Sequence, residues 1–134
     1  MVHVVRQRSL IVVVAAVAGA IAVSSVALAA GGISGTYTTT IKSPAQLKGR
    51  WVLTFAQGGS YTVAVNGQAV ARGTYTSTAK TVTLDREQGS GCTGAGTYAW
   101  KRSGKTMTFV RKRETSSCQA RALVLGHRFT LVRS

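Results

Sequence analysis

The residues able to do chemistry in this chain are few. Cys92 and Cys118 are its only cysteines, Asp85, Glu87 and Glu114 its only acids, and His127 the only histidine beyond His3. A zinc site normally takes four Cys or His ligands at close spacing, and this set does not supply them, so no metal or cofactor is expected. A catalytic thiol needs a base within reach, and one distant histidine is thin support for it. Asp85 and Glu87 stand two apart, which on a strand gives one face with two carboxylates, an arrangement formally suited to acid–base work. They are read as pointing outward. With no Ser or His constellation beside them, no catalytic residue is assigned and an enzyme is not expected.

What the cysteines do depends on compartment. The N-terminus carries Arg6 and Arg8 without an acid, then an apolar run from Leu10 to Val23, then Ala27-Leu28-Ala29. A basic start, an apolar middle and a small-x-small exit make a secretory signal peptide. It is read as residues 1–29, cleaved after Ala29. The alternative is a retained anchor, because the apolar run approaches the roughly 20 residues that span a bilayer. No charged stop-transfer cluster follows, so no stable membrane span is expected after cleavage. In an oxidising, extracytoplasmic location two cysteines most simply pair. The predicted hairpin 96–111, turning at Ser103-Gly104, brings Cys92 and Cys118 to the same open end. A disulfide follows.

The full chain has 17 Lys and Arg against 3 acids, a net charge of +14. Removing the signal takes two arginines and leaves +12. Such a field favours anionic partners, or it simply keeps a small exported domain in solution. The densest cationic group is Arg111-Lys112-Arg113, with Lys101, Arg102 and Lys105 across the same hairpin. No aromatics interleave with these cations, so a specific nucleic-acid platform is not indicated.

Elements must now position these residues. Alternation of period two dominates: Trp51, Leu53 and Phe55 share a face, as do Tyr61, Val63 and Val65, Val82 and Leu84, Tyr98 and Trp100, Met107 and Phe109, and Phe129 and Leu131. With Gly35–Lys42 and Gln68–Thr76, these runs predict eight antiparallel strands. Asn66-Gly67 marks a tight hairpin. Ser43-Pro44 is read as the start of a short helical piece through Leu47, and Cys118–Leu125 as a second helix that Gly126 ends. Short connections in sequence order predict an all-β, up-and-down, eight-stranded barrel over residues 35–134, preceded by a flexible leader at 30–34. Its interior is either filled by side chains or holds one small ligand.

Gly49-Arg50-Trp51, after a helical turn and opening a strand, resembles the Gly-x-Trp signature of the calycins. The wider pattern runs through Gly73-Thr74-Tyr75 and Gly96-Thr97-Tyr98-Ala99-Trp100 to Cys118-Gln119-Ala120-Arg121. It is similar to small secreted lipocalin-like proteins of high-GC bacteria. The resemblance implies that Trp51 closes one barrel end and packs on an arginine near the C-terminus, Arg121 first and Arg128 second. A strand precedes the signature here, unlike typical lipocalins, and the chain is shorter. Gly49, Trp51 and Arg121 are therefore assigned structural roles.

The leading function is an exported binding module for a small apolar or amphipathic ligand. Phe55, Tyr61, Tyr98, Trp100, Met107 and Phe109 are the candidate lining, with Arg86 at the mouth to meet an anionic end. Taken singly, each of these aromatics is read sooner as plain core, filling the interior with nothing bound. In that case the exterior cations, acting on an anionic surface polymer, become the working part.

Overall fold

Strand alternation places one row of apolar side chains on the inner face of each strand, and eight such strands close on themselves. The computed structural model describes residues 32–134; the segment 1–29 expected to be a signal peptide lies outside them. The strands are β1 (Gly35–Ile41), β2 (Gly49–Phe55), β3 (Ser60–Val65), β4 (Gln68–Ser77), β5 (Thr81–Gln88), β6 (Gly96–Ser103), β7 (Thr106–Arg113) and β8 (Phe129–Arg133). They form a closed antiparallel barrel in chain order, with β1 also paired to β8. The β7–β8 ladder is the shortest, two pairs only. Helix α1 (Gln119–Leu125) lies in that connection, packs on β7, and adds Val124 and Leu125 to the core.

Turn chemistry sets the register. Asn66 and Gly67 both take positive φ, 52° and 83°, as a type I′ turn requires, and Val65 pairs with Gln68 across it. The β6–β7 turn sits one residue later than the sequence suggests, at Gly104-Lys105, with Ser103 paired to Thr106 and Gly104 at φ 59°. Gly49 stands at φ 144°, and a Cβ there would lie 2.7 Å from the Asn66 amide. The glycine of the signature is thus needed by the neighbouring hairpin, whose Asn66 side chain accepts the Arg50 N–H at 3.0 Å.

Two expectations change. Ile33, assigned to a flexible leader, is buried in the core, and the Tyr37 hydroxyl donates to its carbonyl at 2.9 Å. Ser43 does not cap the 3-10 turn Ala45–Leu47; Pro44 stands extended before it and no side chain caps it. Gly126 ends α1 as expected, in a right-handed conformation that does not use its freedom at positive φ.

The core is divided along the barrel axis. At the end holding the β2–β3, β4–β5 and β6–β7 turns, Phe55 meets Tyr75 edge-on at 4.9 Å and lies 6.2 Å from Tyr37 and 6.3 Å from Phe109, which meets Phe129 at 5.8 Å. Such rings bring large apolar area and a further stabilisation from edge-to-face geometry. Phe55 is 1 % exposed. Phe55→Ala is therefore expected to destabilise by about 3–5 kcal/mol in urea unfolding, with a smaller loss for Trp51→Ala, since Trp51 is only half-buried.

Candidate functional site

The other barrel end is built around one charged side chain. Arg121, on α1, is buried, its side chain 5 % exposed, and the carboxylates beside it, Glu87 and Glu114, are buried as deeply. Its Nε donates to Glu114 Oε2 at 2.8 Å and its Nη2 to Glu114 Oε1 at 2.6 Å, a bidentate pair. Nη2 also donates to the Gly94 carbonyl at 3.2 Å. Glu87 lies on the other side, its Oε1 4.0 Å from Arg121 Nη1. That nitrogen is buried and has no hydrogen-bond partner.

Each carboxylate is held by a buried tyrosine. The Tyr61 hydroxyl donates to Glu87 Oε1 at 2.8 Å, and the Tyr98 hydroxyl donates to Glu114 Oε2. Ser90 Oγ donates to Glu87 Oε2, and the Thr115 N–H to Glu114 Oε1 at 2.9 Å. Two glycines make room for this cluster. A Cβ on Gly96 would fall 2.6 Å from Arg121 Nη2, and one on Gly73 would fall 2.8 Å from the Tyr61 ring. Both glycines belong to the Gly-Thr-Tyr motifs of the sequence.

Titration follows from this geometry. Burial alone would raise the Glu114 pKa, but hydrogen bonds from Arg121, Tyr98 and Thr115, with the Arg121 charge, hold it below the ordinary carboxylate value. Burial works against the Arg121 charge too; Glu114 chiefly, with Tyr61 and Glu87, more than compensates, so its pKa is raised. Tyr61 and Tyr98 are raised by burial first, then by the carboxylates Glu87 and Glu114 that accept their protons' hydrogen bonds.

Beside this cluster lies a partly open cavity of about 410 Å³, within the roughly 300–1,000 Å³ of small-molecule sites. Trp51 and Leu53 of β2, Val63 and Val65 of β3, Val70 and Ala71 of β4, Leu84 of β5, Val124 and Leu125 of α1, and Phe129 form its apolar walls. Tyr61, Glu87 and Arg121 supply the interior polar groups, while Gln46, Lys48, Asn66, Ser90 and Ser117 are the exposed polar rim. The Cys92–Cys118 disulfide is formed and lines the same cavity. Around it, Thr115 Oγ1 donates to the Thr93 carbonyl at 2.8 Å and the Thr93 N–H donates to Ser117 Oγ at 3.1 Å, tying the β5–β6 loop to the start of α1.

Of the predicted lining residues only Tyr61 faces the cavity. Phe55, Met107 and Phe109 are in the filled core, and Tyr98 stands behind Glu114. Trp100 is at the opposite end, its indole N–H donating to the Thr78 and Thr81 carbonyls, each at 3.1 Å. Arg86 is exposed and does not enter the mouth. The reason is a bulge: Asp85 pairs with Thr74 and Gln88 with Arg72, so Arg86 and Glu87 together oppose the single residue Gly73. Arg86 takes φ 52°, with its N–H donating to Asp85 Oδ1 at 2.8 Å. The bulge inverts the alternation, and Glu87, read as outward, turns inward instead.

Trp51 lines the cavity wall, with its indole N–H donating to the Leu47 carbonyl at 2.7 Å, and it shares the cavity with Arg121. Arg128 is exposed, so Arg121 is the interior arginine. Lys101, Arg102, Lys105, Arg111, Lys112 and Arg113 are all exposed. Among the described residues no group of three or more His, Cys, Asp or Glu could hold a metal ion, and no helix is long and apolar enough to cross a membrane.

Glu87, considered only as an outward partner of Asp85, and Glu114 are the cluster residues to which the sequence assigned no site role. A signal existed: inward tyrosine hydroxyls at 61 and 98 need acceptors, and the chain has only three carboxylates to offer. Comparison with family models, with curated proteins and with solved structures gives no match.

Removing one partner of a buried ion pair leaves uncompensated charge. Arg121→Leu should therefore cost roughly 3–5 kcal/mol in chemical denaturation, whereas the exposed Arg86→Ala should stay within about 0.5 kcal/mol. Because the folded Glu114 pKa lies below its unfolded value, its stabilisation is present above the ordinary value of 4.5 and lost as pH falls through the folded pKa. The denaturation midpoint of the native protein should drop on that acid limb, and Glu114→Gln should flatten the drop.

Proposed function

We propose that this protein is an exported, lipocalin-like binding module that holds a small, largely apolar ligand in the cavity between Trp51, Val63, Val70, Leu84 and Arg121. The observation that carries the reading is the division of the barrel. One half is filled by aromatic rings, while the other is hollow, apolar-walled and joined to a few buried polar groups. An apolar cavity of this size with convergent polar groups is the usual form of a small-molecule site. The disulfide that closes its loop supports an extracytoplasmic location. Binding rather than catalysis is the role we assign, because Glu114 is held by Arg121 and Tyr98, and Glu87 by Tyr61 and Ser90.

A second reading has one specific observation behind it. Among the described residues the only ion pairs within 4.0 Å are those of Arg121, so the six cations of the β6–β7 hairpin face water without an acidic partner. An exterior of this kind suits adsorption to an anionic polymer, and the two uses of the molecule are compatible.

The test is fluorescence titration with N-phenyl-1-naphthylamine, an uncharged apolar probe. Saturable enhancement should persist between about 0.05 and 0.5 M salt, because screening acts on exposed charge and not on an apolar pocket. Val63→Phe, placed to fill the cavity, should weaken binding at least about tenfold while keeping the native melt. Enhancement that vanishes with salt, or that survives the filling substitution unchanged, would move the probe to the exterior.

A further inference from the structure

The cavity's polar groups are not equally occupied. Arg121 has three guanidinium nitrogens; Nε and Nη2 are bonded to Glu114 and the Gly94 carbonyl, and Nη1 has no partner although it is buried. Glu87, by contrast, has an acceptor bond on each oxygen, from Tyr61 and from Ser90. The unmet valence in the cluster is therefore a donor. A buried donor left unpaired is costly, and a ligand that supplies an acceptor recovers that cost once the guanidinium shifts Nη1, itself buried, toward the cavity that Arg121 lines.

Charge then selects the kind of acceptor. The cluster holds two carboxylates and one guanidinium, all with side chains at most 5 % exposed. A ligand carboxylate at Nη1 would bring a third negative charge beside Glu87 Oε1, which is itself only 4.0 Å from that nitrogen. In a poorly hydrated site, like charges at such a distance oppose each other strongly. An alkylammonium has no acceptor to offer, so it leaves Nη1 unmet and brings its own charge toward the guanidinium.

We infer that Arg121 Nη1 is the polar anchor of the cavity and that it takes an uncharged oxygen acceptor, a hydroxyl or carbonyl, at the end of an apolar chain lying against Val63, Val70 and Leu84. The inference rests on the cavity being a ligand site and adds the chemical class of its occupant. It also reverses the anionic end expected when Arg86 was placed at the mouth.

The experiment uses the exported protein with naphthylamine bound and displaces it with decan-1-ol, decanoate or decylammonium near pH 7.5, where both ionic probes are charged. Decanol should compete at least about tenfold more tightly than either ion. In Glu87→Gln, which removes the negative charge beside Nη1, decanoate should gain several-fold on decanol; a thermal melt confirms that this variant is folded. The assignment is overturned if decanoate matches or exceeds decanol in the native protein. It is also overturned if Glu87→Gln leaves their ratio unchanged, or if decylammonium binds tightest. Should none of the three displace bound naphthylamine, the head-group assignment falls while the cavity reading stands. Failure of naphthylamine itself to bind removes both.

Discussion

One guanidinium organises the hollow end of this barrel. Arg121 leaves α1 and meets Glu114 from the end of β7, Gly94 from the β5–β6 loop and, at longer range, Glu87 from β5. Taking a guanidinium out of water costs several kcal/mol even after relaxation, so the arrangement persists only because the partners are fixed in place. Tyr61 and Tyr98 fix the carboxylates, Gly73 and Gly96 leave space for them, and the Cys92–Cys118 bond holds the loop against α1. Loosening these supports weakens the pairing of a buried charge.

That constraint explains why the barrel is hollow at one end. A buried ion cluster cannot be overlaid with apolar rings without stranding its remaining polar atoms, as the open valence of Arg121 Nη1 already shows. At the opposite end no charge is buried among the described residues, and Phe55 packs edge to face on Tyr75, as Phe109 does on Phe129. The same eight strands thus carry a stiff, solid half that sets the barrel's shape and a half in which shape is held by polar bonds and a covalent staple. A cavity bounded by rigid elements needs little rearrangement to accept a guest.

The cluster also shapes the molecule's outer field. Two of the chain's three acidic side chains are used inside, leaving only Asp85 outside the cluster against a surface of lysines and arginines. The strong positive field is in part a consequence of where the negative charges were needed. The exposed cations Arg111, Lys112 and Arg113 at the end of β7 also discourage edge-to-edge pairing where the short β7–β8 ladder leaves that strand edge unpaired.

The amino-acid sequence alone determined the architecture. Period-two alternation, Asn66-Gly67 and short connections specify eight antiparallel strands in chain order, because inner and outer faces must alternate residue by residue. The pairing of Cys92 with Cys118 was legible for the same reason, since one hairpin brings both to one end. Only the tertiary structure decided how the interior is filled. The bulge at Arg86 and Glu87 depends on what β4 places opposite, a single Gly73, and no local signal in β5 announces it. One extra residue there exchanged an arginine for a glutamate on the inner face. Likewise, Phe55 and Phe109 read as well for a pocket wall as for a core, because alternation reports the face of a strand and not its depth along the barrel. Depth is set by stagger and closure, which exist only once all eight strands have met.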